Sequence, residues 1–466
     1  MRLFENLILL TLIIALAWSF LPRHRRSRVV LFMPFVSAAL IGVHIVVEGY
    51  RWQMIPTYLL AAVLLIKNIL LLQEGEQSRL PTQTRRPFLR YVMVLVVLLL
   101  FMAVSQLPAV LPVFDLPIPD GPFPVGTTGR TFIDPSRPEL LTNDPNDLRQ
   151  VPVQVWYPAE TPTEGRPVDY WLGHPQMVRI LSRELGLPFF TLDHLTLLKT
   201  NSFEFAPLAT AKESYPVVIF SHGYLMGYLQ QNTSLMETLA SHGYIVFSVA
   251  HPYQALAVPM ADGSLALFAA EFQQLFSEDP DFKQQTLRTW VADMRFVIDS
   301  LENKTIFPQF NNKMDFGRLG IGGMSFGGAA ASLLCLEDAR CQAGFTFDSP
   351  QYEPVLSTPM EKPFLFFEAE ESQFAPRSVY EAVAAPAYWV IIDGAIHNDF
   401  TDLTMASPLG SLLGLTGTIR GDQMLRILNA YTLAFLDRHL KEVQRPLLYG
   451  PSADFPEVKI EFRNIP

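Results

Sequence analysis

The sequence predicts an α/β fold, in which a mainly parallel sheet is covered by helices on both faces, preceded by an N-terminal transmembrane region of four helices. After about residue 125, short β-branched runs alternate with amphipathic stretches, and these runs are apolar throughout, as in strands buried on both faces. Before residue 113 the chain is almost entirely apolar. We therefore expect a transmembrane region at 1–113, a Pro-rich connector at 114–150 and a globular domain at 151–466.

Four apolar stretches each approach the roughly 20 residues that a helix needs to cross a bilayer. They are Phe4–Leu21, Val29–Val47, Met54–Leu72 and Tyr91–Pro112. A cleaved signal peptide would explain the first stretch but not the three behind it. The loops after the first and third stretches are rich in arginine, whereas the loop between the second and third holds only Arg51. By the positive-inside rule we expect a multi-pass protein of the cell membrane with an extracytoplasmic globular domain.

Charge divides at the same boundary. Residues 1–110 contain eleven Lys or Arg and four Asp or Glu, whereas the remainder contains 24 basic and 41 acidic residues. An acidic globular domain argues against a nucleic-acid partner, because phosphate binding needs a basic face. The two cysteines, Cys335 and Cys341, are too few for a disulfide framework. We expect two buried thiols, with one local disulfide as the alternative in an oxidising compartment.

The globular domain contains seven predicted strands and five predicted helices. The strands are Val153–Tyr157, Pro216–Phe220, Tyr244–Ala250, Arg318–Gly322, Gly344–Phe347, Pro363–Glu368 and Tyr388–Ile392. The helices are Thr233–Ser241, Gln284–Glu302, Phe326–Leu336, Arg377–Ala384 and Gly421–Leu440. The connector before them repeats Pro, which disfavours helix and predicts an extended spacer.

The strongest local signal is Gly323-Met324-Ser325-Phe326-Gly327, which joins a predicted strand to a predicted helix. A G-x-S-x-G pattern in this context is the nucleophile elbow of the α/β-hydrolase fold. Glycine is needed because a serine on a sharp turn has a strained backbone, and side chains two residues away would collide with neighbours. The helix N-terminus also favours developing negative charge. We predict that Ser325 is a nucleophile.

A serine hydroxyl needs a base to remove its proton. Of the nine histidines, His397 lies in a loop just past the last predicted strand, where this fold places its base. His222 follows an earlier strand, and we expect it to shape its loop instead. The predicted base is therefore His397.

The acid that orients the base is open on the residues alone. Asp348 ends the strand after the nucleophile helix, and Glu370 and Glu371 follow the next strand. Asp393 is only four residues from His397 and is too close in sequence to reach its ring. Spacing does not separate Asp348 from the pair Glu370 and Glu371.

The oxyanion hole needs two backbone N–H groups aimed at the carbonyl oxygen that becomes negative. One is expected from the residue after the nucleophile, Phe326. The second should come from the loop after an early strand, which reads Phe220-Ser221-His222-Gly223-Tyr224. Tyr224 is the predicted second donor.

Four segments together resemble the platelet-activating factor acetylhydrolase family of plasma-type, lipoprotein-associated phospholipases. They are Phe220–Gly223, Ala240–Val246, Gly323–Gly328 and His397–Leu403, and the resemblance runs from about Val151 to Lys441. The resemblance implies an acid at the end of the strand after the nucleophile helix, which is Asp348, and it implies no metal. Met324 and the loop Tyr224–Met226 depart from the family pattern, and the Gly-Tyr pair is also similar to bacterial cutinases and polyester hydrolases.

These observations predict a membrane-anchored serine ester hydrolase that acts through Ser325, His397 and Asp348 and needs no cofactor. Its expected partners are an ester or phospholipid substrate and the lipid bilayer. The alternatives are a cutinase-like hydrolase of polyesters or small esters, a serine peptidase of the same fold, and a non-catalytic membrane protein. The sequence does not predict the oligomeric state.

An apolar, Gly-punctuated loop, Met405–Gly417, follows the predicted base. It has no charged residue, so it either packs on the domain or rests against an apolar surface outside it. We expect it to fold over the domain's own core.

Overall fold

The computed structural model describes residues 1–20, 28–73, 87–161, 165–372, 374 and 377–465. It divides into two compact units. The first is Met1–Phe114 with Gly186–Leu197, and the second is Asp115–Leu185 with Leu198–Pro466.

The N-terminal unit is helical. Its helices are α1 (Leu3–Phe20), α2 (Met33–Val47), α3 (Ile55–Gln73), α4 (Pro87–Val104) and α5 (Leu107–Val110). Apolar side chains of α1, α3 and α4 form its core, including Ile8, Leu12, Leu64 and Phe101. The one arginine of the loop between α2 and α3, Arg51, is buried and lies 2.6 Å from Glu5.

The expectation of four membrane spans is not confirmed. Among the described residues, Val29–Val47 and Trp52–Leu70 are helical, long and apolar enough to cross a bilayer by length and composition. The apolar helical segments Leu3–Trp18 and Leu98–Val110 fall short of that length, because a span needs roughly 20 residues. The arginine-rich loops that predicted the orientation, 21–27 and 74–86, lie outside the described residues. The described part of the unit therefore holds two candidate spans, and a signal sequence or a membrane anchor could have the same length and composition.

A segment from the globular half of the sequence packs within this unit. In Gly186–Leu197, the Thr191 carbonyl accepts a hydrogen bond from Trp52 Nε1 at 3.1 Å. Gln53 Nε2 lies 2.8 Å from His194 Nδ1, and the Phe190 ring meets Trp52 edge to face. The sequence predicted no role for this segment, because its contacts are made by residues far away along the chain.

The second unit is built on one large sheet. Its strands are β1 (Val125–Pro138), β2 (Leu148–Pro158), β3 (Ser202–Glu204), β4 (Tyr215–Ser221), β5 (Ile245–Val249), β8 (Met314–Met324), β9 (Cys341–Phe347), β10 (Phe364–Ala369), β11 (Ala387–Ile392) and β12 (Val458–Arg463), while β6 (Ala257–Pro259) and β7 (Leu265–Leu267) form a separate hairpin. The order is β12-β11-β10-β9-β8-β4-β5-β2-β1-β3. The six strands from β5 to β11 in this order are parallel, and β2 and β12 flank them antiparallel.

Helices cover both faces of the sheet. They are α6 (Met177–Glu184), α7 (Thr233–Ser241), α8 (Gln273–Glu278), α9 (Pro280–Glu302), α10 (Phe326–Glu337), α11 (Arg377–Ala382) and α12 (Gly421–Leu440). One apolar core joins α9 and α10 to the sheet, and a second core joins α7 and α12 to the sheet. Every residue of β4 and β5 is buried, as expected for strands covered on both sides. The predicted α/β class is therefore confirmed.

Part of the predicted connector is not a spacer. Val125–Pro138 forms β1 and pairs antiparallel with β2 along its length. Its two glycines and two prolines hide the apolar alternation that would have indicated a strand.

The expectation of two free thiols is wrong. A disulfide joins Cys335 near the end of α10 to Cys341 at the start of β9. It links the helix that follows Ser325 to the strand that precedes Asp348, so it connects the two elements next to those residues.

Glu237 of α7 is a buried acid that predicts a pH dependence of stability. Its buried carboxylate accepts hydrogen bonds from Asn201 N at 2.6 Å and Ser202 Oγ at 2.5 Å. Burial outweighs these bonds and raises the pKa of Glu237 to about 7. Because the folded pKa lies above the unfolded one, this contribution to stability is present below about pH 4.5 and is lost as pH rises through about 7.

We expect Glu237→Gln to reduce this loss. Between about pH 5 and pH 8 the wild type should lose about 3 kcal/mol of folding free energy relative to the variant, seen as a falling melting temperature. Exposed Glu361→Gln is the control and should follow the wild type. Parallel melting curves for wild type and Glu237→Gln would contradict the assignment.

Candidate active site

Ser325 lies on the sharp turn between β8 and α10. Its backbone has φ 55° and ψ −126°, and its N–H donates to the Phe347 carbonyl at 2.9 Å. A non-glycine residue in this region is strained by about 1–3 kcal/mol, and the surrounding structure must enforce it. The flanking glycines allow the close approach, since a Cβ on Gly327 would lie 2.1 Å from the His222 carbonyl oxygen. The turn projects the Ser325 hydroxyl from the end of the strand.

His397 comes to Ser325 on the loop that follows β11. Its Nε2 lies 3.0 Å from Ser325 Oγ, and its ring is partly exposed. Buried Asp399 holds the loop by accepting hydrogen bonds from the Ile396 and Gly417 N–H groups at 2.8 and 2.7 Å. The His397 ring is thereby fixed at the end of the sheet.

Asp348 follows β9 and completes the arrangement. His397 Nδ1 donates to its Oδ2 at 2.6 Å, and the Ala369 N–H donates to its Oδ1 at 3.1 Å. Burial raises the pKa of this carboxyl, but the hydrogen bonds from His397 and Ser372 outweigh burial and lower the pKa below its usual value. With Asp348 ionised, His397 keeps its proton on Nδ1, and its Nε2 accepts the Ser325 hydroxyl.

The competing carboxylates face other partners. Glu370 accepts a hydrogen bond from the Gly394 N–H at 3.1 Å, and Asp393 lies 2.5 Å from Lys459 Nζ. The structure thus brings Ser325, His397 and Asp348 together and does not bring Glu370 or Asp393 into the same chain of bonds.

The two predicted oxyanion donors, Phe326 and Tyr224, come from two different elements near Ser325. Phe326 is the first residue of α10. On the loop after β4, a Cβ placed on Gly223 would lie 3.5 Å from Ser325 Cβ, so the residue before Tyr224 lies against Ser325. The N-terminus of α10 and the loop after β4 therefore both lie beside Ser325.

Aromatic side chains that the sequence interpretation missed surround Tyr224 and Phe326. The Tyr224 ring stacks on Phe276 with centroids 3.8 Å apart and meets Phe268 edge to face. Phe276 and Tyr352 both contact the Phe326 ring. The one indication of these aromatic side chains in the sequence is the high density of Phe between residues 268 and 282. None of the recognised motifs lies in that range.

The apolar loop after His397 is not folded entirely over the core. Leu412 is 83% exposed and Leu413 is 67% exposed. The Leu415 carbonyl accepts a hydrogen bond from Asn398 Nδ2 at 3.1 Å, so the loop lies against the residues that follow His397. The expectation that it packs on its own domain is wrong for these leucines.

One group among the described residues brings three possible metal ligands within 4.8 Å of one another. It consists of Glu5, His44 and Glu48 in the N-terminal unit. Arg51 lies 2.6 Å from Glu5 and Arg2 lies 3.8 Å from Glu48, so guanidinium groups already neutralise both carboxylates. This charge balance opposes a cation.

Comparisons with known proteins give consistent matches. The chain matches the sequence profile of a family described as platelet-activating factor acetylhydrolase, isoform II, over residues 110–260 and 290–446. The platelet-activating factor acetylhydrolase of Cavia porcellus is 26% identical over 362 residues, which are 70% of this chain and 78% of that protein. A probable 1-alkyl-2-acetylglycerophosphocholine esterase of Arthroderma benhamiae is 24% identical over 266 residues, 52% of this chain and 65% of its own.

A solved structure is also similar. A ferulic acid esterase from Streptomyces cinnamoneus matches with a TM-score of 0.61 and 26% identity, covering 75% of this chain and 99% of its own. The two ranges of the family profile contain Tyr224, Ser325, Asp348 and His397, whereas Phe268 and Phe276 lie between them.

Proposed function

Because the chain belongs to the platelet-activating factor acetylhydrolase, isoform II, family and is a carboxylic ester hydrolase, we propose that it cleaves esters through Ser325, His397 and Asp348. The observation that supports the proposal best is the continuous chain of bonds, 3.0 Å from Ser325 Oγ to His397 and 2.6 Å from His397 to Asp348. This is the arrangement that activates a serine hydroxyl.

These distances support the following steps. His397 Nε2 takes the hydroxyl proton as Ser325 Oγ attacks the acyl carbon, and Asp348 stabilises the imidazolium that forms. The N–H groups of Tyr224 and Phe326 stabilise the oxyanion. When the C–O bond to the alcohol breaks, His397 returns the proton to the leaving oxygen. Water then attacks the acyl-enzyme with His397 again as base, and Ser325 is restored.

The proposed substrate is a phospholipid with a short acyl chain or a related ester, as the names of the relatives suggest. A second candidate is an ester with an aromatic acyl group, including feruloyl esters and aromatic polyesters. It is favoured by the partly exposed rings of Tyr224, Phe268 and Phe276 and by the likeness to a ferulic acid esterase. Planar groups stack well on such rings.

An activity panel on the full chain tests the function. It should contain a 1-alkyl-2-acetylglycerophosphocholine, p-nitrophenyl acetate, methyl ferulate, a polyester film and a peptide p-nitroanilide. We expect turnover of esters and no turnover of the anilide. Faster cleavage of the anilide would favour the serine peptidase alternative, and inertness toward all five, together with no fluorophosphonate labelling, would overturn the enzymatic proposal.

We further propose that the N-terminal unit anchors the enzyme in a membrane and that the hydrolase unit is extracytoplasmic. Support comes from the two candidate spans, the arginine-rich loops in the sequence and the disulfide, because disulfides persist in oxidising compartments. The proposed number of spans is four, with the two shorter apolar helices completing the set.

Cysteine labelling tests the orientation. A cysteine in place of exposed Asp120 should react with an impermeant maleimide in intact cells, and one in place of Ser27 should not. The native cysteines are joined to each other and should give no background. The opposite labelling pattern would place the hydrolase unit in the cytoplasm.

A further inference from the structure

A second Ser–His–Asp chain, fully buried, lies beneath the loop that carries Tyr224. Ser221 Oγ is 2.9 Å from His251 Nε2, and His251 Nδ1 is 2.8 Å from Asp293 Oδ2. None of the three side chains is accessible to solvent, so Ser221 cannot meet a substrate. The bonding pattern of a catalytic triad is therefore used here for another purpose.

The charged groups around Asp293 determine which atoms of this hydrogen-bond chain carry protons. Arg149 donates to both oxygens of Asp293, at 3.1 and 2.7 Å, and Arg137 Nη1 lies 2.9 Å from Oδ1. Asp293 is thus an ionised acceptor, and His251 must donate from Nδ1. Burial lowers the pKa of His251 to about 4, so the ring is neutral and its Nε2 accepts the Ser221 hydroxyl. The His251 ring also stacks on Trp290 with centroids 3.9 Å apart, which fixes its plane.

His222 links the Ser221–His251–Asp293 hydrogen-bond chain to the loop that carries Tyr224. Its Nε2 accepts a hydrogen bond from the His251 backbone N–H at 3.2 Å. Its Nδ1 must therefore carry the proton, and it donates to the Gly223 carbonyl at 2.8 Å. The Gly223 N–H donates to Gln231 Oε1 at 3.3 Å, so that group is already engaged within the protein.

The direction of one carbonyl sets the direction of the next N–H. In a planar trans peptide the C=O and the following N–H point to opposite sides. When His222 holds the Gly223 carbonyl toward the buried chain, the Tyr224 N–H must point away from it. Gly223 itself lies against Ser325, since a Cβ placed on it would lie 3.5 Å from Ser325 Cβ.

We propose that Ser221, His222, His251 and Asp293 are positioning residues that orient the Gly223–Tyr224 peptide so that the Tyr224 N–H serves the oxyanion. This inference rests on the proposed function. It identifies the residues that hold one of the two proposed oxyanion donors in place. The proposed oxyanion donor is a backbone N–H group, so changing the Tyr224 side chain cannot remove it. The positioning of this N–H group can instead be tested by changing His222.

Two substitutions of His222 by amides of similar polarity, Asn and Gln, test the roles of Nδ1 and Nε2 separately. In His222→Asn the amide nitrogen takes the place of Nδ1 and can still donate to the Gly223 carbonyl. In His222→Gln the amide reaches the place of Nε2, and the donor to Gly223 is lost. We expect His222→Gln to lower kcat by about 10²–10³-fold with KM within about threefold, and His222→Asn to retain kcat within about tenfold.

The ratio of kcat values for an ester and its thiono analogue would not change if the substitution only lowered the stability of the protein. A thionoester develops its charge on sulfur, a weaker hydrogen-bond acceptor, and so depends less on the oxyanion donors. The ratio of kcat for a p-nitrophenyl ester to kcat for its thiono analogue should fall at least tenfold in His222→Gln and stay near wild type in His222→Asn. His439→Gln, at a half-buried histidine bonded to Tyr388, is the control and should leave the ratio unchanged.

The outcomes are distinct from failure of the proposed function. A wild-type protein that turns over no ester would overturn the function itself. An unchanged ratio in folded His222→Gln, or equal losses on both esters, would overturn the positioning role. If His222→Gln does not fold, Ser221→Ala replaces it, since loss of the hydroxyl leaves His251 Nε2 without its donor. Ser221→Ala should lower the ratio about three- to tenfold, and an unchanged ratio there would overturn the proposal.

Discussion

Ser325→Ala should abolish ester hydrolysis, with kcat falling by more than about 10³-fold while the protein remains folded. Alanine removes the attacking oxygen but keeps the Cβ that the turn between β8 and α10 already accommodates. The hydroxyl accounts for one hydrogen-bonded contact, to His397, so little packing is lost. The measurement is kcat on a p-nitrophenyl ester, together with labelling by a fluorophosphonate and a melting curve.

Ser332→Ala is the matched control for this variant. Ser332 lies on the same helix, α10, and its buried hydroxyl makes no hydrogen bond within the described part of the chain. It should retain activity and labelling. Residual activity of Ser325→Ala above about a thousandth of wild type would count against Ser325 as the nucleophile.

Asp348→Asn should lower kcat by about 10⁴-fold and leave KM nearly unchanged. An amide at this position cannot stabilise the imidazolium, and it can donate to His397 Nδ1, which favours the tautomer that cannot accept the Ser325 proton. The loss should be seen on every ester, because it acts on the base and not on substrate binding.

Glu370→Gln tests the competing position for the acid. Glu370 accepts from the Gly394 N–H and lies 3.6 Å from Lys459, near the molecular surface. Its amide variant should keep kcat within about threefold of wild type. If Glu370→Gln were the severe variant and Asp348→Asn the mild one, the acid would lie after β10.

The sequence predicted the interior of the fold better than its edges. Thr233–Ser241 and Gly421–Leu440 begin and end at the predicted residues, and the parallel strands are found within a few residues of their expected bounds. These elements bury apolar faces, so their periodicity is strong. The strands β1 and β12 lie toward the two ends of the sheet, where one is rich in Gly and Pro and the other alternates charged with apolar residues.

The candidate site was also predicted only in part from the sequence. Ser325 and His397 could be predicted because each occupies a fixed place relative to a strand. As the candidate acid, Asp348 could not be separated from Glu370 and Glu371 by spacing, because a one-dimensional pattern does not report the direction of a side chain. In the structure Asp348 has φ 42°, and its carboxylate meets the His397 ring. The family resemblance supplied this residue, and the family membership is confirmed.

The buried chain through Asp293 was beyond prediction for a different reason. Arg149, His251 and Asp293 lie on β2, after β5 and on α9, and no short motif joins them. Their contacts depend on strand order, which places β2 next to β5 at the edge of the parallel strands. Only His222, which lies within a recognisable loop, was predicted to shape its surroundings.

The packing of Gly186–Leu197 with the N-terminal helices has a practical consequence for dissecting this protein. A cut at the apparent boundary near residue 114 would leave this segment attached to the hydrolase without Trp52 and Gln53, which contact it. The Phe190 ring would then lose its edge-to-face contact with Trp52, and a shortened, detergent-free preparation would tend to aggregate whatever the state of the residues around Ser325. A soluble form should therefore replace residues 186–197 with a short polar link as well as remove the first 114.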